Sequence, residues 1–264
     1  MKRPLAALLV LLVISACGGS GEGGSPPPVQ LPPPVGIPTP AEQLATDLAG
    51  LSLSDFYEEA FKALTYRSPE TIVWQALGSI YPLDDAGLND LSVSYQRDTI
   101  AMFAVVLELL RAFDTSSLSA ADKLTYDFFE WYLEDVVDSL DFIYFDFVAT
   151  YNFSGVQNST EQFFTDIHPV TTIEEANDYI DRLRAVIDKF WDVIDYLTLQ
   201  RGAGIIEPRI TMDAAIIRLG EIADAAPEKV SYYTSFRDRL DAIPNLSDGD
   251  RQTLLADALE QVQY

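Results

Sequence analysis

The stretch 171-TTIEEANDYIDRLRAVIDKFWDVIDYLTLQRG-202 sets the fold class. Thr172, followed three residues later by Glu175, has the form of a capping box: the hydroxyl accepts from an exposed amide and the acid reaches back. From there Ala176, Ile180, Leu183, Ile187, Phe190, Ile194 and Leu197 recur at helical spacing. The pattern predicts the longest helix of the chain, ending before Gly202.

The same punctuation recurs on both sides. Ser52 with Asp55, Ser119 with Asp122 and Ser247 with Asp250 each precede apolar residues at helical spacing. Ser68-Pro69 reads as an N-cap followed by proline at the first helical position, opening a short helix through Trp74 and Leu77 to Gly78. "YQRDTIAMFAVVLELLRAF" (95–113) predicts a helix of about 20 residues. In the helix after Ser119, the stripe Leu124, Phe128, Trp131 or Tyr132, and Val136 is the apolar face. Further helices are expected over 209–224 and 231–240. The segment "LDFIYFDFVATYNFSGV" (140–156) lacks a 3.6-residue period and reads as one extended strand or a buried loop. No repeat of fixed period is present, so the fold class is mainly α: a non-repetitive multi-helix domain with one possible extended segment.

Composition allows a large core. Of 264 residues, 48% are hydrophobic and 11% aromatic, enough to fold the region 42–264 as one large domain or two small ones. The net charge of −24 excludes nucleic acid as a partner, whose phosphates demand a basic footprint. It equally disfavours adhesion of the domain to anionic lipid heads, and so many acids read first as a solvated surface.

The start of the chain is different. Lys2 and Arg3 precede the apolar run Leu5–Ile14 and the small residues Ser15 and Ala16, the pattern of a secretory signal too short to span a bilayer. Ile14-Ser15-Ala16-Cys17 resembles the bacterial lipobox, so residues 1–16 are expected to be a lipoprotein signal peptide and Cys17, the sole cysteine, the lipid attachment point. Several acyl chains there imply stable anchoring in membrane lipid. Gly18, where aspartate would mark inner-membrane retention, implies the outer membrane facing the periplasm of a bacterial cell envelope. Residues 17–41, rich in glycine and proline, read as a disordered tether reaching on the order of 70 Å at about 3.1 Å per residue. With Cys17 lipidated no thiol remains for a disulfide. At the other end Leu254, Leu255, Ala258, Leu259 and Val262 are still periodic when the sequence stops at Tyr264, which raises the expectation of an incomplete domain.

The order of segments resembles the N-terminal half of the bacterial domain-of-unknown-function family 885, many of whose members are exported or lipid-anchored. The matching pieces are "LSLSDFYEEAFKAL", "LSAADKLTYDFFEWYL", "YNFSGVQNSTEQFFTDIHPVTTIEEANDYIDRL", "QRGAGIIEPR" and "SYYTSFRDRLDAIPNLSDGDRQTLLADAL". Family members are roughly twice this length, and their C-terminal half resembles helical HExxH zinc peptidases. Two histidines one turn apart bind zinc there, and the intervening glutamate deprotonates the metal-bound water. The resemblance therefore implies half of a larger helical zincin-like fold, with zinc expected only in a full-length relative. This chain has one histidine, His168, so no catalytic or metal-binding residue carries over.

Other candidates are weaker. His168 lies in "IHPV" before a loop proline, where local hydrogen bonding is the ordinary role, and no G-x-S-x-G elbow accompanies it. Asp188, Asp192 and Asp195 share a helical face and Asp84-Asp85 a loop. Such carboxylates can bind a cation or serve as acid and base, but acids are so many that chance neighbours are expected. "DDAGLND" and "LSDGDR" lack the spacing of a calcium loop. Asn158 sits in a sequon that matters only in a eukaryotic secretory route. The arginines Arg182, Arg184, Arg201, Arg209 and Arg218 stand out in a chain poor in positive charge. Arg182, Arg201 and Arg209 are the candidates for holding the carboxylate of a peptide substrate; the alternative is that they balance neighbouring acids. Two functions remain. One is the non-catalytic N-terminal half of a zinc-peptidase-like lipoprotein; the other is a stand-alone acidic helical binding or scaffolding module of the envelope.

Overall fold

Hydroxyl caps decide where the main helices begin. A computed structural model describes residues 37–82, 87–150 and 155–263. They form α1 Pro40–Leu48, α2 Leu53–Thr65, α3 Pro69–Trp74, α4 Val93–Arg111, α5 Ala120–Asp138, α6 Val156–Gln162, α7 Ile173–Gly202, α8 Arg209–Ala223, α9 Ser231–Arg239 and α10 Asp248–Val262. No strand occurs among the described residues. The expected signal peptide, Cys17 and nearly all of the expected tether lie outside them, as do Asp84 and Asp85. Thr39 and Pro40, read with the tether, are the N-cap and first residue of α1. No helix among the described residues is long and apolar enough to cross a membrane.

The caps separate by side-chain length. Thr172 accepts from the Glu175 amide at 3.1 Å while the Glu175 carboxylate accepts from Thr172 N, and Thr39 with Glu42 does the same. Ser52, Ser119 and Ser247 also accept from the amide three residues on, but their aspartate partners do not reach back to the backbone. Asp55, Asp122 and Asp250 instead accept from the serine hydroxyl, each at 2.7 Å. Aspartate is one methylene shorter than glutamate, so the reciprocal half of the box is lost. At α3 the expected Ser68 cap makes no side-chain bond to the helix amides. Asn89 Oδ1, from the loop before α4, accepts from Glu70 N instead, at 3.1 Å.

Two apolar clusters fill the interior. One joins α1, α2, α4 and α5 through Leu44, Leu48, Phe56, Val106, Leu110 and Leu133. The other joins the π-turn Phe163–Ile167 to α7, α9 and α10. At its centre Tyr179 stacks on Phe236 at 4.8 Å and meets Phe164 edge-on at 4.9 Å. Such ring pairs add about 0.5–1.5 kcal/mol each beyond their burial.

Two faces differ from the sequence reading. On α5 the stripe Leu124, Phe128 and Trp131 points outward, with exposures of 71%, 63% and 57%, and Tyr126 and Leu133 are buried instead. Both faces of α5 carry large apolar residues, so periodicity alone could not choose between them. On α7 the stripe holds through Ala176, Ile180 and Leu183, then leaves the core: Ile187 and Ile194 are about half exposed, while Lys189, Val193, Tyr196 and Gln200 are buried. The segment 140–150 is a 3-10 turn followed by further turns, neither a strand nor a buried loop: Ile143 and Ala149 are buried, whereas Leu140, Phe142 and Phe145 are exposed.

Thr172→Ala removes both arms of a full box. It should cost about 1 kcal/mol in urea unfolding, more than Ser119→Ala, whose box lacks the second arm.

Candidate functional site

Lys189, Val193, Tyr196 and Gln200 follow one another at helical spacing, and their face of α7 captures backbone from two irregular segments. Lys189 Nζ lies 2.6 Å from Glu70 Oε1, with the two side chains 4% and 10% exposed. The same oxygen accepts from Asn89 N at 2.9 Å. Asp192 Oδ2 accepts from Leu91 N at 3.3 Å. Burial raises the Asp192 carboxyl above the usual carboxylate range, and the neighbouring Asp90 adds to it. One turn further, Tyr196 Oη donates to Ile143 O and Asp146 O, at 2.8 and 3.0 Å. Gln200 Nε2 donates to Tyr144 O and Asp146 O, at 2.8 and 3.1 Å. Buried carbonyls without ladder partners must find donors, and α7 supplies them.

The N-terminal half of α7 holds a second knot. His168, 1% exposed, follows the π-turn and sets its Nδ1 2.7 Å from Pro169 O. A carbonyl only accepts, so Nδ1 carries the proton and Nε2 offers its lone pair to Arg182 Nη1. Arg182 also donates through Nε to Gly87 O at 3.2 Å. Arg239 donates to His168 O and Phe164 O, each at 2.5 Å, satisfying a carbonyl freed by the π-turn. Burial first, then the Arg182 guanidinium, lowers the His168 pKa from 6.5 to about 3. The imidazole is therefore neutral at ordinary pH.

This geometry defines what each candidate can do. Both ring nitrogens of His168 are engaged, so neither offers a lone pair to zinc, and no group of three His, Cys, Asp or Glu among the described residues is arranged to hold a metal. The residues present do not fit the zinc that the resemblance implies for a full-length relative. Arg182 is buried, whereas Arg201 and Arg209 are exposed on either side of the turn between α7 and α8. Arg209 pairs with Asp213 at 3.2 Å, Arg184 with Asp181 at 2.6 Å, and Arg218 with Glu161 and Glu221. The five arginines are not gathered into one site; four of them have an acid partner or the His168 ring. Asp188 and Asp195 are exposed while Asp192 is half-buried, and Asp195 lies near enough to help raise the Asp192 carboxyl. Glu70, Asn89, Lys189, Tyr196, Gln200 and Arg239 were not singled out from the sequence. The one available signal was the spacing of Lys189, Tyr196 and Gln200, interleaved with the apolar stripe.

Residues 73–263 match the model of a family described as "Bacterial protein of unknown function (DUF885)". The chain belongs to this family. No curated protein matches it. A similar fold is seen in a crystal structure described as "the putative lipoprotein from Colwellia psychrerythraea", with a TM-score of 0.65 and 17% identity. The similarity covers 86% of this chain and 39% of that one, so this chain spans about two fifths of the length of that solved structure.

Lys189→Met leaves the Glu70 carboxylate buried without its cation and should cost about 3–5 kcal/mol in urea unfolding; adding Glu70→Gln should recover part of that loss. His168 supplies a pH test. Unfolded histidine takes a proton near pH 6.5 and the folded one near 3, so between these values the unfolded chain holds more protons. Stability from neutral His168 is present above pH 6.5 and is lost as pH falls through that window, by at most about 1.4 kcal/mol per pH unit. His168→Gln should flatten this part of the stability profile, read by urea titrations between pH 7 and 4.

Proposed function

We propose that this chain is a lipid-anchored protein of the bacterial envelope whose helical domain forms the N-terminal, non-catalytic part of a larger peptidase-like protein. The observation that carries the proposal is the uncovered apolar surface. Phe128 and Trp131 on α5, Trp191 on α7, and Ile210, Ile216 and Ile217 on α8 are all more than half exposed. Scattered apolar residues are ordinary on a surface, but this many large ones on three helices favour further protein packed against them. The 39% share of the larger solved chain supports the same reading.

In this reading the α7 clamp gives a rigid wall, and the chemistry belongs to residues outside this chain. Arg201 and Arg209, exposed at the α7–α8 turn, are the groups placed to meet a peptide carboxylate, while Arg182 is buried against His168 in the other half of α7 and takes no part. The anchor is Cys17, with the tether holding the domain away from the outer membrane on its periplasmic side.

The test is a labelled-palmitate experiment in the source cell with an antibody to the helical domain. A palmitate-labelled band well above 29.3 kDa, with label lost in Cys17→Ser, is the expected result. A labelled band at 29.3 kDa would support the stand-alone envelope module instead, and an unlabelled protein would end the anchoring proposal. The purified chain should show no zinc-stimulated peptidase activity.

A further inference from the structure

A cavity of about 850 Å³ lies between α7, α8 and the end of α10, apart from the polar clamp. Its floor is the core itself, through Leu183 and Val230, each 7% exposed. Ile187 and Phe190 of α7 form one wall and Leu219 and Ile222 of α8 the other. Of the residues of α8 only Ala215 is buried, so this helix stands off the bundle and leaves the space beneath it open. Polar groups occur at the mouth: Arg184, Gln261 and Gln263.

Two physical limits narrow the occupant. No charged side chain lies on the floor or walls, so a charge taken inside would be buried without a partner, at a cost of several kcal/mol; the enclosed part must be uncharged. Size decides between a helix and a thin chain. With side chains an α-helix is about 10–12 Å across, so two turns would take roughly 850–1,200 Å³, the whole cavity or more. Small-molecule sites span about 300–1,000 Å³. At the mouth, Arg184 is held by Asp181 in an exposed pair, an interaction weak enough to yield to another carboxylate.

We propose that this cavity binds a fatty acid, the acyl chain between α7 and α8 and the carboxylate at Arg184. The choice of an acyl chain over other apolar ligands rests on the reading that the protein works beside a membrane, which supplies such chains.

The test uses the full chain carrying Cys17→Ser, purified without detergent, and cis-parinaric acid as a fluorescent fatty-acid probe. Expected is saturable binding of one probe per chain, displaced by palmitic acid and displaced less well by its methyl ester, which cannot pair with Arg184. Ile222→Asp, placing a charge in the wall, should weaken binding at least tenfold; Leu219→Trp, which fills the space without adding charge, should do the same. Trp131→Asp, on the exposed face of α5, should leave binding unchanged. Circular dichroism of each variant checks that it is folded. Non-saturable binding, or binding equal in the folded Leu219→Trp and Trp131→Asp variants, would overturn the proposal. Because Cys17 is absent from this protein, failure here is separate from failure of the lipid-anchoring reading.

Discussion

Lys189 and Glu70 meet where water cannot hydrate either, and much of the domain is arranged around that fact. An ammonium and a carboxylate removed from solvent lose hydration worth several kcal/mol each and recover it only with good geometry and further hydrogen bonds. Here the extra bonds come from Asn89, whose amide reaches Glu70 while its side chain caps α3. The ion pair thus binds three things at once: the middle of α7, the start of α3 and the loop leading into α4. Farther along the same helix, Tyr196 and Gln200 hold the carbonyls of Ile143, Tyr144 and Asp146. α7 is a helix that organises non-helical backbone.

That division of labour explains which parts of the fold were legible in the sequence. The caps at Thr172, Ser52, Ser119 and Ser247 are local, because hydroxyl, amide and acid lie within three residues of one another; all four helices start where the pattern places them. The first half of α7 was legible for the same reason, its apolar stripe running straight into the core. The second half was not. From Ile187 onward the apolar residues continue but the helix turns another face inward, and the inward face is chosen by partners more than 50 residues away, such as Glu70 and Ile143. Residues 140–150 were obscure because aromatic and β-branched residues without a period suit a strand or a buried turn equally well. The carbonyl donors that select the turn are on α7.

The candidate site was legible only in outline. Histidine before proline suggested local bonding, and Pro169 O accepts a hydrogen bond from Nδ1; the partnership with Arg182, fourteen residues on, was not foreseen. Arg182 was singled out for its charge, yet its position behind His168 makes it an internal strut rather than a surface contact. Arg201 and Arg209 remain at the surface. A cluster of charges in sequence says little about a cluster in space, since neighbouring arginines on a helix diverge by about 100° per residue. Membership of the DUF885 family came instead from the serial order of segments, which no single contact reveals.

The Glu70–Lys189 pair organises this region only if α7 holds the loop before α4 as firmly as it holds its own turns. Native-state hydrogen exchange measures this directly, because a segment's protection reports the free energy of the opening that exposes it. If the clamp is real, the amides of Asn89 and Leu91 exchange with opening energies close to those of Val193 in the middle of α7. If those two amides exchange as an open loop does while Val193 stays protected, the Glu70–Lys189 pair does not organise this region and the central claim is wrong.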